Sequence, residues 1–304
     1  MTDFSTVMQL TPTGDRRWTA ELPADWGQGR TTFGGLLAAL AARVAHQVVG
    51  ADRPLRSLDV AFVAPVRPGR AELQLEVLGE GKAVTQLVVS ISSGGVLGCR
   101  VHVVAGAARV SAIRVDTAPA ELPEGNPAEQ GVPFPYLPGI TPDFVQHIEY
   151  RYCAENFPFE GGGPETARLK GWARHRSIAQ GLEATIALLD SWPPVVIPMA
   201  TEPTPFSTVR WAIHLAGLNE LSDRELAEVD AGEQWFWYEA QTVQCADGYA
   251  TGTAAMYSAD GTLLAWSEQL IAVYDRPIQV QVQVEAVAGM AAGEAGIAEP
   301  AASA

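Results

Sequence analysis

The chain predicts an α+β fold in which two helices are each wrapped by a curved antiparallel β-sheet. Three observations carry that expectation. An apolar run follows the pair Gly34–Gly35, alternating segments joined by glycine turns come after it, and the same plan returns about 145 residues later.

The first helix is expected over Leu36–Val49, where only Arg43, His46 and Gln47 are strongly polar. These three stand at i, i+3 and i+4, so they share one narrow stripe and leave the rest of the circumference to Leu, Ala and Val. Such a helix is buried or crosses a membrane. Fourteen residues reach about 21 Å, too short for a hydrocarbon core of about 30 Å, so the chain itself must cover this helix. The glycines at its start permit close backbone approach, either for packing or for offering N–H groups to a ligand.

The cover comes next. "RSLDVAFVAPV" (56–66) reads as a strand, "RAELQLEV" (70–77) alternates strictly, "AVTQLVVSI" (83–91) is β-branched, and "VLGCRVHVVA" (96–105) follows a Ser-Ser-Gly-Gly turn. Apolar alternation and glycine punctuation at this spacing describe strands joined by hairpins. From about Ser111 the composition changes, and seven prolines fall between Asp116 and Pro142. Proline fixes φ and removes donors, so an extended connection is expected there.

The plan then recurs. "TARLKGWARHR" reads as a strand, and "SIAQGLEATIALLD" (177–190) carries a helical stripe of Ile178, Leu182, Ile186 and Leu189. "STVRWAIHLAG" takes the place of the earlier strand at 56–66. Beyond an acidic stretch, "EQWFWYEAQTVQCA", "ATGTAAMYSA" and "LLAWSEQLIAVYD" form a meander with turns at Asp-Gly pairs. Internal duplication is the expected organisation. The units are residues 1–110, a Pro-rich linker at 111–145, a second unit at 146–276, and an Ala/Gly-rich tail at 277–304 expected to be disordered.

Bulk properties narrow the function classes. The chain has 304 residues, 47% of them hydrophobic, and a formal net charge of −15, which argues against nucleic acid as a partner. Residues 1–114 carry twelve basic and nine acidic side chains, residues 115–304 eight and twenty-six. Either the acidic surface serves solubility, or the first half meets an anionic ligand. No secretion signal is expected at the N-terminus and no apolar run long enough to insert in a membrane, which suits a cytoplasmic protein. The three cysteines are far apart and form no CxxC pair, so they read as small buried hydrophobes. Motifs of serine hydrolases, P-loop proteins, zincins and dinucleotide binders are missing. The five histidines are scattered, so no metal and no cofactor is expected.

One carboxylate stands out. Asp190 ends an apolar helix, with two residues between it and Pro193–Pro194, where negative charge opposes the helix dipole. It is either a solvated loop residue past a frayed end or a functional group. Thr208 lies near the start of a strand, and Gln269 shares a strand face with Ser267 and Ile271.

The order and spacing of "FGGLLAALAARVA", "SLDVAFVAPVRPGRAELQLEVLGEGKAVTQ", "GWARHR", "ALLDSWPP", "STVRWAIHL" and "DGTLLAWSEQLIAV" resemble the acyl-CoA thioesterase II-like family, over most of residues 15–275. The resemblance implies a double hotdog, two helices each wrapped by a curved antiparallel β-sheet. It implies hydrolysis of an acyl-CoA thioester by an Asp, a Thr and a Gln of the second unit, here Asp190, Thr208 and Gln269, without a covalent intermediate. Gly34, Gly35 and Lys82, with Arg67 and Arg70, are the candidates for holding substrate or its phosphates. A homo-oligomer is expected, since exposed sheet edges pair readily. The competing expectation is a silent acyl-CoA-binding or scaffold protein on the same fold. In this chain the strand after Thr208 reads "VRWAIHL" and tryptophans 172, 192, 211, 235, 237 and 266 crowd the second half, where they could shorten or close an acyl tunnel.

Overall fold

The computed structural model describes residues 1–113, 115, 120–177, 179, 181–216 and 234–274. The expected tail at 277–304, Ile178 of the expected second stripe and most of the acidic stretch after Leu215 lie outside the described residues.

In chain order the first half holds α1 (Phe4–Val7), β1 (Thr11–Gly14), β2 (Arg17–Leu22), β3 (Gly27–Gln28), β4 (Thr31–Thr32) and α2 (Gly34–Val49). It continues with β5 (Leu55–Phe62), β6 (Gly69–Glu80), β7 (Val84–Ser93) and β8 (Val96–Gly106). The second half holds β9 (Val132–Pro133), β10 (Ile148–Tyr152), β11 (Arg168–His175), α3 (Leu182–Leu189) and β12 (Phe206–Leu215). β13 (Phe236–Ala246), β14 (Tyr249–Tyr257) and β15 (Leu263–Val273) complete it.

Thirteen of these strands form one antiparallel sheet, in the order β1-β2-β6-β7-β8-β5-β12-β15-β14-β13-β11-β10-β9, while β3 and β4 pair separately. Alternation dictates the faces. In β6, Ala71, Leu73 and Leu75 are buried while Glu72, Gln74 and Glu76 face water. The hairpin turns follow from residues that tolerate positive φ: Gly94 and Gly95 between β7 and β8, and Asp247 and Gly248 between β13 and β14.

α2 is rich in Ala and Leu, both strong helix formers. It ends where Gly50 takes φ 73° and donates its N–H to the His46 carbonyl. One side packs on β5, β6, β7 and β8, and another on α3. Leu36, Leu37 and Leu40 are fully buried there, each worth about 1.5–3 kcal/mol of transfer free energy. Arg43, His46 and Gln47 form the outward stripe. The helices approach closely because Gly35 has no side chain: a Cβ there would stand 2.7 Å from the Ala187 carbonyl oxygen of α3.

α3 is shorter than the spacing predicts. It begins only at Leu182, because Gly181 adopts φ 90°, which interrupts a helix. It packs on α2 and β11. The Pro-rich segment also differs from the expected plain connection. Val132–Pro133 adds the last strand of the sheet, and Phe144 is buried with its ring stacked on Phe33 at 4.0 Å.

The two halves meet where β5 pairs with β12. Across that seam Arg210 Nε donates to Asp59 Oδ1 at 2.9 Å, and Arg210 holds the Asp59 carboxyl below its usual range. The sheet order outward from the seam is the same on both sides, β5-β8-β7-β6-β2 and β12-β15-β14-β13-β11. Even the irregularity repeats. β5 shifts register against β8 between Leu55 and Ser57, and β12 shifts against β15 between Thr208 and Arg210.

Candidate active site

Asp190 follows the last helical residue of α3 and is its C-cap. Repulsion from its own helix's carbonyl end is offset by a second helix, because the Gly35 backbone N–H at the start of α2 donates to the Asp190 carboxylate. The N-terminal field of α2 therefore acts on this carboxylate. Gln269 Nε2 donates to Asp190 Oδ1 at 2.8 Å. Gly34 leaves room for the group: a Cβ there would stand 2.8 Å from Asp190 Oδ2 and 3.0 Å from the Phe62 ring.

Thr208 arrives through the bulge. In a regular strand residues 208 and 211 point to opposite faces. Here Thr208 stands opposite Ile271, and Trp211 opposite Gln269, so the extra residue Val209 turns both 208 and 211 toward the interior. Trp211 and Ile271 are fully buried. Thr208, half-buried, lines a cavity of about 290 Å³ together with Gly34, Asp190 and Gln269. Gln28, Thr31 and Ser207 add polar groups to that cavity, and Leu37, Phe62, Trp192, Pro194 and Phe206 add apolar walls.

Burial raises the Asp190 pKa to about 7, while the Gln269 and Gly35 hydrogen bonds pull it down. A carboxyl titrating near neutrality exchanges protons efficiently at that pH. The turn beyond it is held firmly. Tyr150 donates its hydroxyl to the Ser191 carbonyl at 2.9 Å, and the Ser191 hydroxyl donates to the Leu188 carbonyl at 2.7 Å.

The structure thus brings Asp190, Thr208, Gln269 and Gly34 into one cavity. Gly35 acts on the carboxylate through its N–H, which lowers the Asp190 pKa. Lys82, Arg67 and Arg70 do not join the group. All three are exposed and line none of this cavity. One participant, Phe62, escaped sequence reasoning, while Trp192 was expected only as one of several crowding tryptophans. Phe62 and Trp192 form walls of the cavity that Gly34 and Asp190 also line. Among the described residues no group of His, Cys, Asp and Glu is placed to hold a metal. Likewise, none of their helices is long and apolar enough to cross a membrane. Cys99 is buried, Cys153 half-buried and Cys245 exposed, so the expectation of buried thiols fails for Cys245, which lies at the solvated end of β13.

A large antiparallel sheet with few helices is the architecture of the hotdog fold, and solved structures agree. A conserved protein of unknown function with hot dog fold from Alicyclobacillus acidocaldarius superposes with a TM-score of 0.76 at 21% identity, covering 91% of this chain and 100% of its own. The acyl-CoA thioesterase II TesB2 from Mycobacterium marinum gives 0.66 at 15% identity, covering 90% and 98%. The tesB protein of Mycobacterium avium subs paratuberculosis gives 0.66 at 16%, with the same coverage. No curated protein matches the chain. The family follows from sequence: residues 22–111 match the acyl-CoA thioesterase N-terminal domain and residues 117–273 the acyl-CoA thioesterase C-terminal domain. The chain belongs to the acyl-CoA thioesterase family.

Proposed function

We propose that the protein hydrolyses an acyl-CoA thioester to the free acid and CoA, with Asp190 as the base, Gln269 as its partner and Thr208 as a water-positioning hydroxyl. On this reading the chain is a double hotdog, with units at 1–110 and 146–276 joined by 111–145. The observation that carries the proposal is the Asp190 carboxylate, bonded to Gln269 at 2.8 Å inside a cavity that Thr208 also lines.

The chemistry is a direct displacement. Asp190 accepts a proton from water as the water oxygen bonds to the thioester carbonyl carbon. The carbonyl π pair moves to oxygen and forms a tetrahedral oxyanion. Its collapse breaks the C–S bond, and the departing sulfur takes the proton held by Asp190. The positive end of α2 stabilises negative charge through both states. The Gln269 N–H bonded to Oδ1 fixes the carboxylate rotamer for the attacking water.

Release of CoA thiol from a series of acyl-CoAs tests this. The account predicts turnover by the wild type and a loss of about 10²–10⁴-fold in Asp190→Asn. Unchanged turnover in the variant removes Asp190 from the reaction.

A further inference from the structure

We infer that the hydroxyls of Tyr150 and Ser191 are positioning groups for Asp190: together they clamp the turn that carries it and so fix where its carboxylate stands. This rests on the thioesterase reading above and adds to it two residues outside the cavity.

Asp190 sits where a backbone is least constrained by its own helix. It is the C-cap of α3, beyond the last helical residue Leu189, and helix ends fray. The next residue, Ser191, is tied in two directions. Its hydroxyl and its N–H both donate to the Leu188 carbonyl, at 2.7 Å and 3.1 Å, which binds the turn to α3. Its own carbonyl accepts the Tyr150 hydroxyl at 2.9 Å, which binds the turn to β10. Ser191 is 3% exposed and Tyr150 2%, so neither hydroxyl bond competes with bulk water. A reacting group keeps its geometry to about 0.5 Å only when hydrogen bonds behind it lock it. These two hydroxyls are the bonds behind Asp190.

β10 itself supplies the contrast that separates clamping from packing. Tyr150 and Tyr152 are both buried, and both rings pack on Trp192, at 5.5 Å and 5.1 Å between centroids. Apolar packing therefore treats the two alike. Only the Tyr150 hydroxyl is bonded to the turn, whereas the Tyr152 hydroxyl has no partner among the described residues. Burial and the nearby Asp190 charge both raise the Tyr150 pKa, while the Ser191 bond and Arg176 lower it. Burial and Asp190 also raise Tyr238 of β13. Both phenols stay protonated at neutral pH, so Tyr150 serves the turn as a donor and not as a second base.

Two measurements on the full chain test this, with Tyr150→Phe and Ser191→Ala as the variants and Tyr152→Phe as the matched control. Thiol release from acyl-CoA should show kcat lower by about tenfold to a hundredfold in each variant, with KM unchanged, and wild-type values in the control. In an Asp190→Asn background neither substitution should lower the residual rate further, because the group they position is gone. The titration midpoint of the Asp190 carboxyl carbon, followed by NMR, should rise by about 0.2–0.7 in pH in both variants and stay in place in the control. Each variant leaves a carbonyl beside Asp190 without its hydroxyl proton. A wild-type kcat in either variant overturns the inference. So does a loss that recurs in full on Asp190→Asn, or one that Tyr152→Phe matches. If the wild type turns over no acyl-CoA, the titration decides alone. A moved midpoint then supports the clamp and removes the hydrolase reading, and an unmoved one overturns the clamp.

Discussion

The two halves of this molecule share a strand order and a bulge but differ at the positions that face the cavity. Matching the registers about the two bulges aligns Leu55 with Thr208, Leu58 with Trp211, and Val103 with Gln269. Leu55 and Val103 are buried and apolar, whereas Thr208 and Gln269 are polar and line a cavity. The duplicated frame supplies the same backbone placement twice. Only one copy spends that placement on polar groups, and the other spends it on core. The division is not complete, however, because the carboxylate of the second half is held by the helix start of the first. The site belongs to the contact between the halves. An isolated second half would lose the Gly35 donor.

This comparison can be broken by exchanging residues between halves. The largest effect is expected from Gln269→Val, which installs the residue of the first half. It removes the hydrogen bond that opposes the burial of Asp190, so the Asp190 pKa should rise above about 7 and turnover at neutral pH should fall by about 10²-fold. A pH–rate profile with an unmoved acid limb would contradict the assigned role. Gly34→Ala should rank next, because its Cβ meets Asp190 Oδ2 and Phe62. A drop in kcat of about tenfold to a hundredfold is expected with the fold kept, by circular dichroism. Thr208→Leu, the other exchange, should lower kcat by about tenfold and leave stability equal or higher, since it removes a polar group from a half-buried wall. The reverse exchange, Val103→Gln, should leave turnover at the Asp190 site in place and lose about 1–3 kcal/mol in urea unfolding, because nothing there pairs a buried amide. The smallest effect belongs to the seam. Asp59→Asn should cost at most about 1 kcal/mol, since that ion pair is largely exposed. Because the Asp59 pKa is lowered, its stabilisation is present above the unfolded carboxyl value and fades as pH falls through the folded one.

Much of the frame was legible in the sequence because its signals are local. Alternation in 70–77, the apolar circumference of 36–49 and the glycine turns each fix an element from a short stretch. Asp190 was legible as an oddity against its helix dipole, but its partner was not. No local rule says that the amide of Gly35 will lie against a carboxylate 155 residues away, since that follows from the crossing of α2 and α3. The inward turn of Thr208 was equally hidden, because alternation alone points residues 208 and 211 to opposite faces and only the bulge reconciles them. The positions of the basic residues were not legible for a simple reason. Charge excess in the first half says nothing of position, and Lys82 and Arg67 turn out to be exposed side chains outside the cavity. Composition does not show which linker residues pack, since prolines dominate 111–145 while Phe144 stacks on Phe33.

Raised carboxyl titration joins function to stability here. Asp190 has a folded pKa above its unfolded value, so the fold is favoured by this group at low pH and progressively disfavoured as pH rises through about 7. Asp190→Asn carries no charge, but it keeps a single acceptor oxygen and places a donating NH2 where the second carboxylate oxygen was. Loss of the ionisation penalty outweighs that mismatch, so the variant should be more stable than the wild type above neutrality, by about 1–3 kcal/mol, while losing its chemistry.

The most direct test measures kcat/KM for an acyl-CoA from pH 5 to 9 in the wild type and in Asp190→Asn, with urea unfolding of both at pH 8. The account predicts a wild-type rate that climbs through a limb near pH 7, a variant slower by about 10²–10⁴-fold, and a variant more resistant to urea. A variant with wild-type rates, or one that is inactive only because it is unfolded at pH 8, would contradict it.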